Sequence, residues 1–76
     1  MSMIFQDLVN TALTRARTKH PEPIHSRHEG IAVIEEEFME ARDAVFTDKQ
    51  RSHLLVELVH TAAMCRRMAE DLNLKE

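Results

Sequence analysis

Glu36, Glu37 and Glu40 stand together in the stretch Ile31–Val45, IAVIEEEFMEARDAV, and Glu57 and His60 follow in ELVH. Carboxylates and imidazoles hold divalent cations, move protons or pair with arginine. Their placement narrows the choice. At about 100° per residue, Ile31, Ile34, Phe38, Ala41 and Val45 form one narrow apolar stripe. Glu37 and Glu40 fall on the flank of that stripe, in the sector of Val33 and Ala44, and not opposite it. Acids at the rim of a core are costly unless something cationic meets them.

Three helices are needed to position these groups. The first is predicted over about Met3–Thr18, where Phe5, Leu8, Ala12 and Ala16 recur at helical spacing and Ile4, Val9 and Leu13 widen the face. Arg15, Arg17 and Lys19 load its C-terminal end, and His20-Pro21-Glu22-Pro23 stops it. A linker over 19–26 follows. The second helix, about 27–46, opens on a capping box of Ser26 and Glu29. Thr47 and Gln50 read as a second box that starts the third helix, about 48–72. So short a connection makes helices two and three an antiparallel hairpin.

The third helix has its main apolar face at Leu54, Leu55, Leu58, Ala62, Cys65, Ala69 and Leu72. Val56, Val59 and Ala63 form a second, smaller patch on the far side. A helix apolar on two sides needs two partners. Cys65 is expected in the core. Met39, Met64 and Met68 are expected as core filler or subunit contacts.

The chain has 76 residues, a net charge of −3 and one cysteine, so no internal disulfide braces it. One small all-α domain results, with a core too small to be comfortable alone. Oligomerisation, as a homodimer or homotetramer, is the expected remedy, completing a helical bundle. The acidic balance argues against general nucleic-acid binding. No stretch approaches the roughly 18 apolar residues of a membrane span. The beginning MSMIFQDLVN lacks a basic region followed by an apolar run, so a cytoplasmic location is expected.

Across a tight hairpin, residues equidistant from the turn face each other. Glu40 stands about seven residues before Thr47, and His53–Glu57 about six to ten after it. Glu36, Glu37 and Glu40 therefore meet Glu57 and His60 in one half-buried place. Like charges this close need compensation. Mg²⁺ or Mn²⁺ supplies it, because hard ions take carboxylate oxygens. A structural alternative uses arginine: Arg15, Arg17, Arg42, Arg66 and Arg67 are the available partners. His20, His25 and His28 read as a solvated linker, a lip over an anionic ligand, or an irregularly spaced metal site.

His28-Glu29-Gly30, Val33-Ile34, Glu36-Glu37-Phe38-Met39-Glu40, Glu57-Leu58-Val59-His60 and Ala62-Ala63-Met64 resemble the short, often phage-borne members of the MazG-like all-α NTP pyrophosphohydrolases. The likeness covers roughly residues 26–72. The family motif, EExxE followed by ExxD, is met by Glu36, Glu37, Glu40 and Glu57, with His60 in place of the final aspartate. The resemblance implies Mg²⁺-dependent cleavage of a nucleoside triphosphate to a monophosphate and pyrophosphate. It maps Glu37, Glu40, Glu57 and the position of His60 onto metal ligands, and Glu36 onto a ligand or the base for the attacking water. An imidazole shifts the preference towards Mn²⁺ or softer metals. A second reading takes Glu57-Leu58-Val59-His60 as the Glu-x-x-His half of a carboxylate-bridged di-iron site, completed in a symmetric dimer. A third is a non-catalytic helical interaction module.

Overall fold

The computed structural model describes the backbone of residues 2–76 and side chains from Ile4 onward. Three helices follow one another: α1 (Ser2–Lys19), α2 (Arg27–Phe46) and α3 (Arg51–Asp71). There is no strand among the described residues. None of the helices is long and apolar enough to cross a membrane.

Local chemistry sets the boundaries. Ser26 caps α2, its side-chain oxygen accepting from the Glu29 N–H at 3.0 Å. The Glu29 carboxylate reaches back one residue further than a standard box, to the His25 N–H. The second capping box does not form. Thr47 instead closes α2, its hydroxyl donating to the Asp43 carbonyl at 2.7 Å. Asp48 turns left-handed at φ 56°. The Asp48 N–H then bonds the Val45 carbonyl and the Lys49 N–H bonds that of Ala44, the paired closure that satisfies the last carbonyls of a helix. The third helix therefore starts at Arg51, three residues later than its spacing predicts, with Gln50 as a cap that makes no side-chain bond. It ends by the same device, with Asn73 at φ 55°.

α3 is the middle of the molecule. It packs against both α2 and α1, which do not pack on each other. Gly30 lies against Met68, and Glu37 against His60, so α2 and α3 are antiparallel. Asn10 meets Arg66 while Arg17 meets Glu70 and Asp71, so α1 runs in the same sense as α3. Gly30 permits the close approach: a Cβ there would lie 2.6 Å from the Met68 Sδ.

The core is centred on Val9, Leu13, Val59, Ala63 and Met64, with Ala12, Ala16, Val33, Ile34 and Ala62 packed against it. In α3, Val59 and Ala63 of the smaller patch are thus buried, while Val56 stays 48% exposed. Of its predicted main face, Leu58 stays 47% exposed and Cys65 is exposed. On α2 the buried positions are Gly30, Ala41 and Ala44, while Ile31, Phe38 and Val45 of the expected stripe are exposed. By helical periodicity those three project from the side of the hairpin away from α1, as do Leu58 and Cys65.

A buried ion pair fixes the linker. Arg67 and Asp71 each have side chains only 6% exposed. Arg67 donates to the carbonyls of His20 and Glu22. Asp71 accepts from the Ile24 N–H at 2.9 Å and from Arg17 at 2.7 Å. Burial pushes the Asp71 carboxyl up, but the Ile24 N–H and the two guanidiniums outweigh it and hold the group below its ordinary value. Arg67→Met should cost about 2 kcal/mol, because it removes the donor to two linker carbonyls, while Asp71 keeps Arg17 and the Ile24 N–H. Urea denaturation reads this directly, and an unchanged midpoint would mean that the clamp contributes nothing.

Candidate metal centre and its groove

Glu37 is carried on the face of α2 that meets α3, between the buried residues Gly30 and Ala41. Glu57 and His60 are one turn apart on α3 and point back towards it. His60 Nδ1 lies 3.5 Å from Glu57 Oε1 and 3.9 Å from Glu37 Oε2. One donor atom from each of the three lies within 4.8 Å of the others, the only such grouping of three potential ligands among the described residues. Octahedral donors around one small ion keep roughly 3–4 Å from each other. The carboxylates must therefore turn inward by a small rotation to close on an ion.

Glu37 Oε2 is the telling atom. It is cut off from solvent and has no hydrogen-bond partner among the described residues. An orphaned buried carboxylate oxygen is expensive. Burial is the main reason that the Glu37 carboxyl is held above its ordinary value; the charge of Glu40 adds to this, and His60 pulls the other way. The residues present fit a divalent cation: two carboxylates, an imidazole, and an oxygen lacking a partner.

The other residues singled out by spacing divide. Glu40 is exposed and raises the Glu37 carboxyl through its charge and through a side-chain hydrogen bond, although it is not one of the group of three. Glu36 is exposed and lines a groove beside Glu37 and His60. Among the described residues no arginine pairs with the glutamates of this group: Arg17, Arg66 and Arg67 go to Glu70 and Asp71, and Arg42 lies over the Phe46 ring. The linker histidines do not assemble into a ligand group among the described residues.

His53, four residues before Glu57, is not among the candidate ligands that the sequence singles out. Its Nε2 lies 3.4 Å from Glu57 Oε2, on the side away from His60. Glu57 is thus flanked by two imidazoles, a relation carried in the spacing His53-x-x-x-Glu57-x-x-His60. The groove was also missed. It has a volume of about 800 Å³ and runs between α1 and α2 along the face of α3. Its α2 wall carries Glu36 and Glu37, and its α1 wall carries Arg15 and Lys19.

The chain matches no model of a protein family, no curated protein and no solved structure.

A raised carboxyl has a defined effect on stability. The unfolded chain gives up the Glu37 proton near its ordinary value of 4.5, and the folded chain holds it to higher pH. Folding stability therefore falls as pH rises from about 4.5 to the raised folded value. In metal-free protein, Glu37→Gln should remove this part of the fall, so that the variant gains on the parent across that window. Denaturation at a series of pH values measures the gain. Parallel curves for the two proteins would contradict the burial of an unmet charge.

Proposed function

We propose that this chain is a divalent-metal-dependent nucleoside triphosphate pyrophosphohydrolase of the MazG-like kind, acting on nucleotides in the cytoplasm. The observation that carries the reading is the orphaned Glu37 oxygen, beside Glu57 and His60, on the wall of a groove large enough for a nucleotide. Glu37, Glu57 and His60 would hold the ion. Glu40 stands close by as a further carboxylate. The imidazole in the set favours Mn²⁺ over Mg²⁺. When bound, such an ion neutralises phosphate charge and acidifies an attacking water.

The reaction is balanced by one water. Its oxygen joins the α-phosphorus, the bond from that phosphorus to the bridging oxygen of the β-phosphate breaks, and pyrophosphate leaves with that oxygen. Glu36, on the groove wall next to Glu37, would take the proton that the water gives up. Pyrophosphate release from a panel of NTPs and dNTPs tests this. Glu36→Gln should lower kcat by about 10²-fold or more while leaving Mn²⁺ binding intact, as expected for a lost general base. Glu57→Gln should lose both turnover and metal. Turnover that survives Glu57→Gln would remove the site assignment.

The same three residues support a second reading. Glu37 with Glu57-x-x-His60 is one half of the donor set of a di-iron carboxylate protein, and a two-fold pair of chains would complete it. Iron measured on the purified protein, at two ions per pair of chains, together with no nucleotide turnover, would favour it over the hydrolase.

Assembly is part of the proposal. Ile31, Phe38, Val45 and Leu58 are each about half exposed on the side of the hairpin away from α1. Covering each regains about 1 kcal/mol. A second copy laying the same face against this one would complete a four-helix bundle, in a homodimer or homotetramer. Light scattering after size exclusion should give a mass above one chain, and Phe38→Glu should return it to one. A monomeric parent protein at micromolar concentration would exclude this arrangement.

A further inference from the structure

The two walls of the groove differ in charge. α2 presents Glu29, Glu36 and Glu37, α1 presents Arg15 and Lys19, and the linker adds Glu22. Arg15 and Lys19 are exposed and make no ion pair among the described residues, in contrast to Arg17, Arg66 and Arg67. They lie on one face of α1, four residues apart. Positive charges held across a groove from carboxylates, and not used to neutralise them, call for an anion between.

The groove is also graded along its length. At the end where the linker closes it, Arg67 bonds the His20 carbonyl, and Lys19 stands there with it. At the other end the lining is apolar, with Leu8, Leu55 and Val56. His60 and Glu37 lie between. From the level of His60 to that of Arg67 is seven residues of α3, about 10 Å. A ligand lying along the groove thus meets an apolar end, then the candidate metal position, then the end where Lys19 and Arg67 stand with Glu22 and Glu29, the Glu29 carboxylate being taken by the His25 N–H.

We infer that Arg15 and Lys19 bind the β- and γ-phosphates of the substrate and hold the pyrophosphate product, with the nucleoside directed towards Leu8, Leu55 and Val56. This orientation rests on the pyrophosphohydrolase reading for the identity of the substrate; the anion-binding wall itself is testable without it. It sets the α-phosphate beside Glu37 and His60, so the bond broken is the one between the α-phosphorus and the bridging oxygen. The order of the three zones accounts for cleavage at that position and not at the terminal phosphate. The two residues are positioning and binding groups, and neither exchanges a proton with the reacting atoms.

Calorimetric titration with inorganic pyrophosphate tests the wall, in Mn²⁺ and again without metal. The double variant Arg15→Gln/Lys19→Gln is compared with the parent and with Lys49→Gln/Arg51→Gln, which removes the same two charges outside the groove. The expected result is a pyrophosphate Kd at least tenfold weaker in the Arg15/Lys19 variant only, with helicity and binding of Mn²⁺ alone unchanged. Equal binding by all three proteins, an equal loss in both variants, or no binding by the parent in either condition would overturn the inference. Failure of the parent to bind Mn²⁺ alone would remove the metal reading, and the metal-free titration would still decide the wall by the same tenfold criterion.

Discussion

The Arg67–Asp71 pair at the C-terminal end of α3 is the contact on which the rest of the arrangement depends. α1 and α2 do not pack on each other, so their relative placement is transmitted through α3 and the linker. The linker contains two prolines and cannot bond along itself as a helix does. Its polar backbone is satisfied by the clamp instead: two carbonyls by Arg67 and the Ile24 N–H by Asp71. Arg17 ties the end of α1 to the same carboxylate. One buried ion pair thus fixes the end of α1, the path of the linker and the entry to α2. A buried pair of this sort adds little net stability over an apolar substitute, but it specifies one geometry.

That geometry leaves a gap. With α1 and α2 on two sides of α3 and a constrained linker between them, the strip of α3 from Ser52 to Arg67 becomes the floor of a groove. A third packed helix would ordinarily close such a gap and bury its lining. Here the chain keeps the gap open and places unlike charges on its two walls. The price is a thin core, in which no large side chain is fully buried.

The sequence made the three helices and the α2–α3 hairpin legible because caps, prolines and periodicity are local signals. It misled at Thr47-Asp48, where residues that favour helix starts served a helix end. Asp48 accepts a left-handed backbone more readily than most residues, and the closing bonds of α2 then took the amides that a new helix would need. The faces were misjudged for a different reason. Periodicity identifies an apolar stripe but not which of two stripes is nearer a neighbour. Small residues decided it: Ala63, Ala44, Ala41 and Gly30 allow close helix approach, and the larger stripe of Phe38 and Leu58 was left outside. Glu37, Glu57 and His60 could be paired from the turn register alone. The groove and the charge on its α1 wall depended on how α1 lies over α3, which no local pattern encodes.

The position of Glu37 is the main support for the proposed metal site. Its neighbours on the packed face of α2 are glycine and alanines, which draw α2 close to α3. A stability-driven sequence would place leucine or methionine at such a point, because an ionised carboxylate there loses its water and gains no arginine. The nearest cationic candidate is an imidazole at 3.9 Å, beyond hydrogen-bond distance, and it is shared with Glu57. Had the role been structural, Arg15 on the facing wall would be the natural partner. Arg15 instead lines the groove without an ion pair to Glu37 among the described residues. On the proposed reading, a cation bound at Glu37 and an anion between the two walls would relieve both. The buried Glu37 oxygen and an Arg15 without an ion pair among the described residues are the two features that the proposed metal-bound phosphate chain would satisfy together.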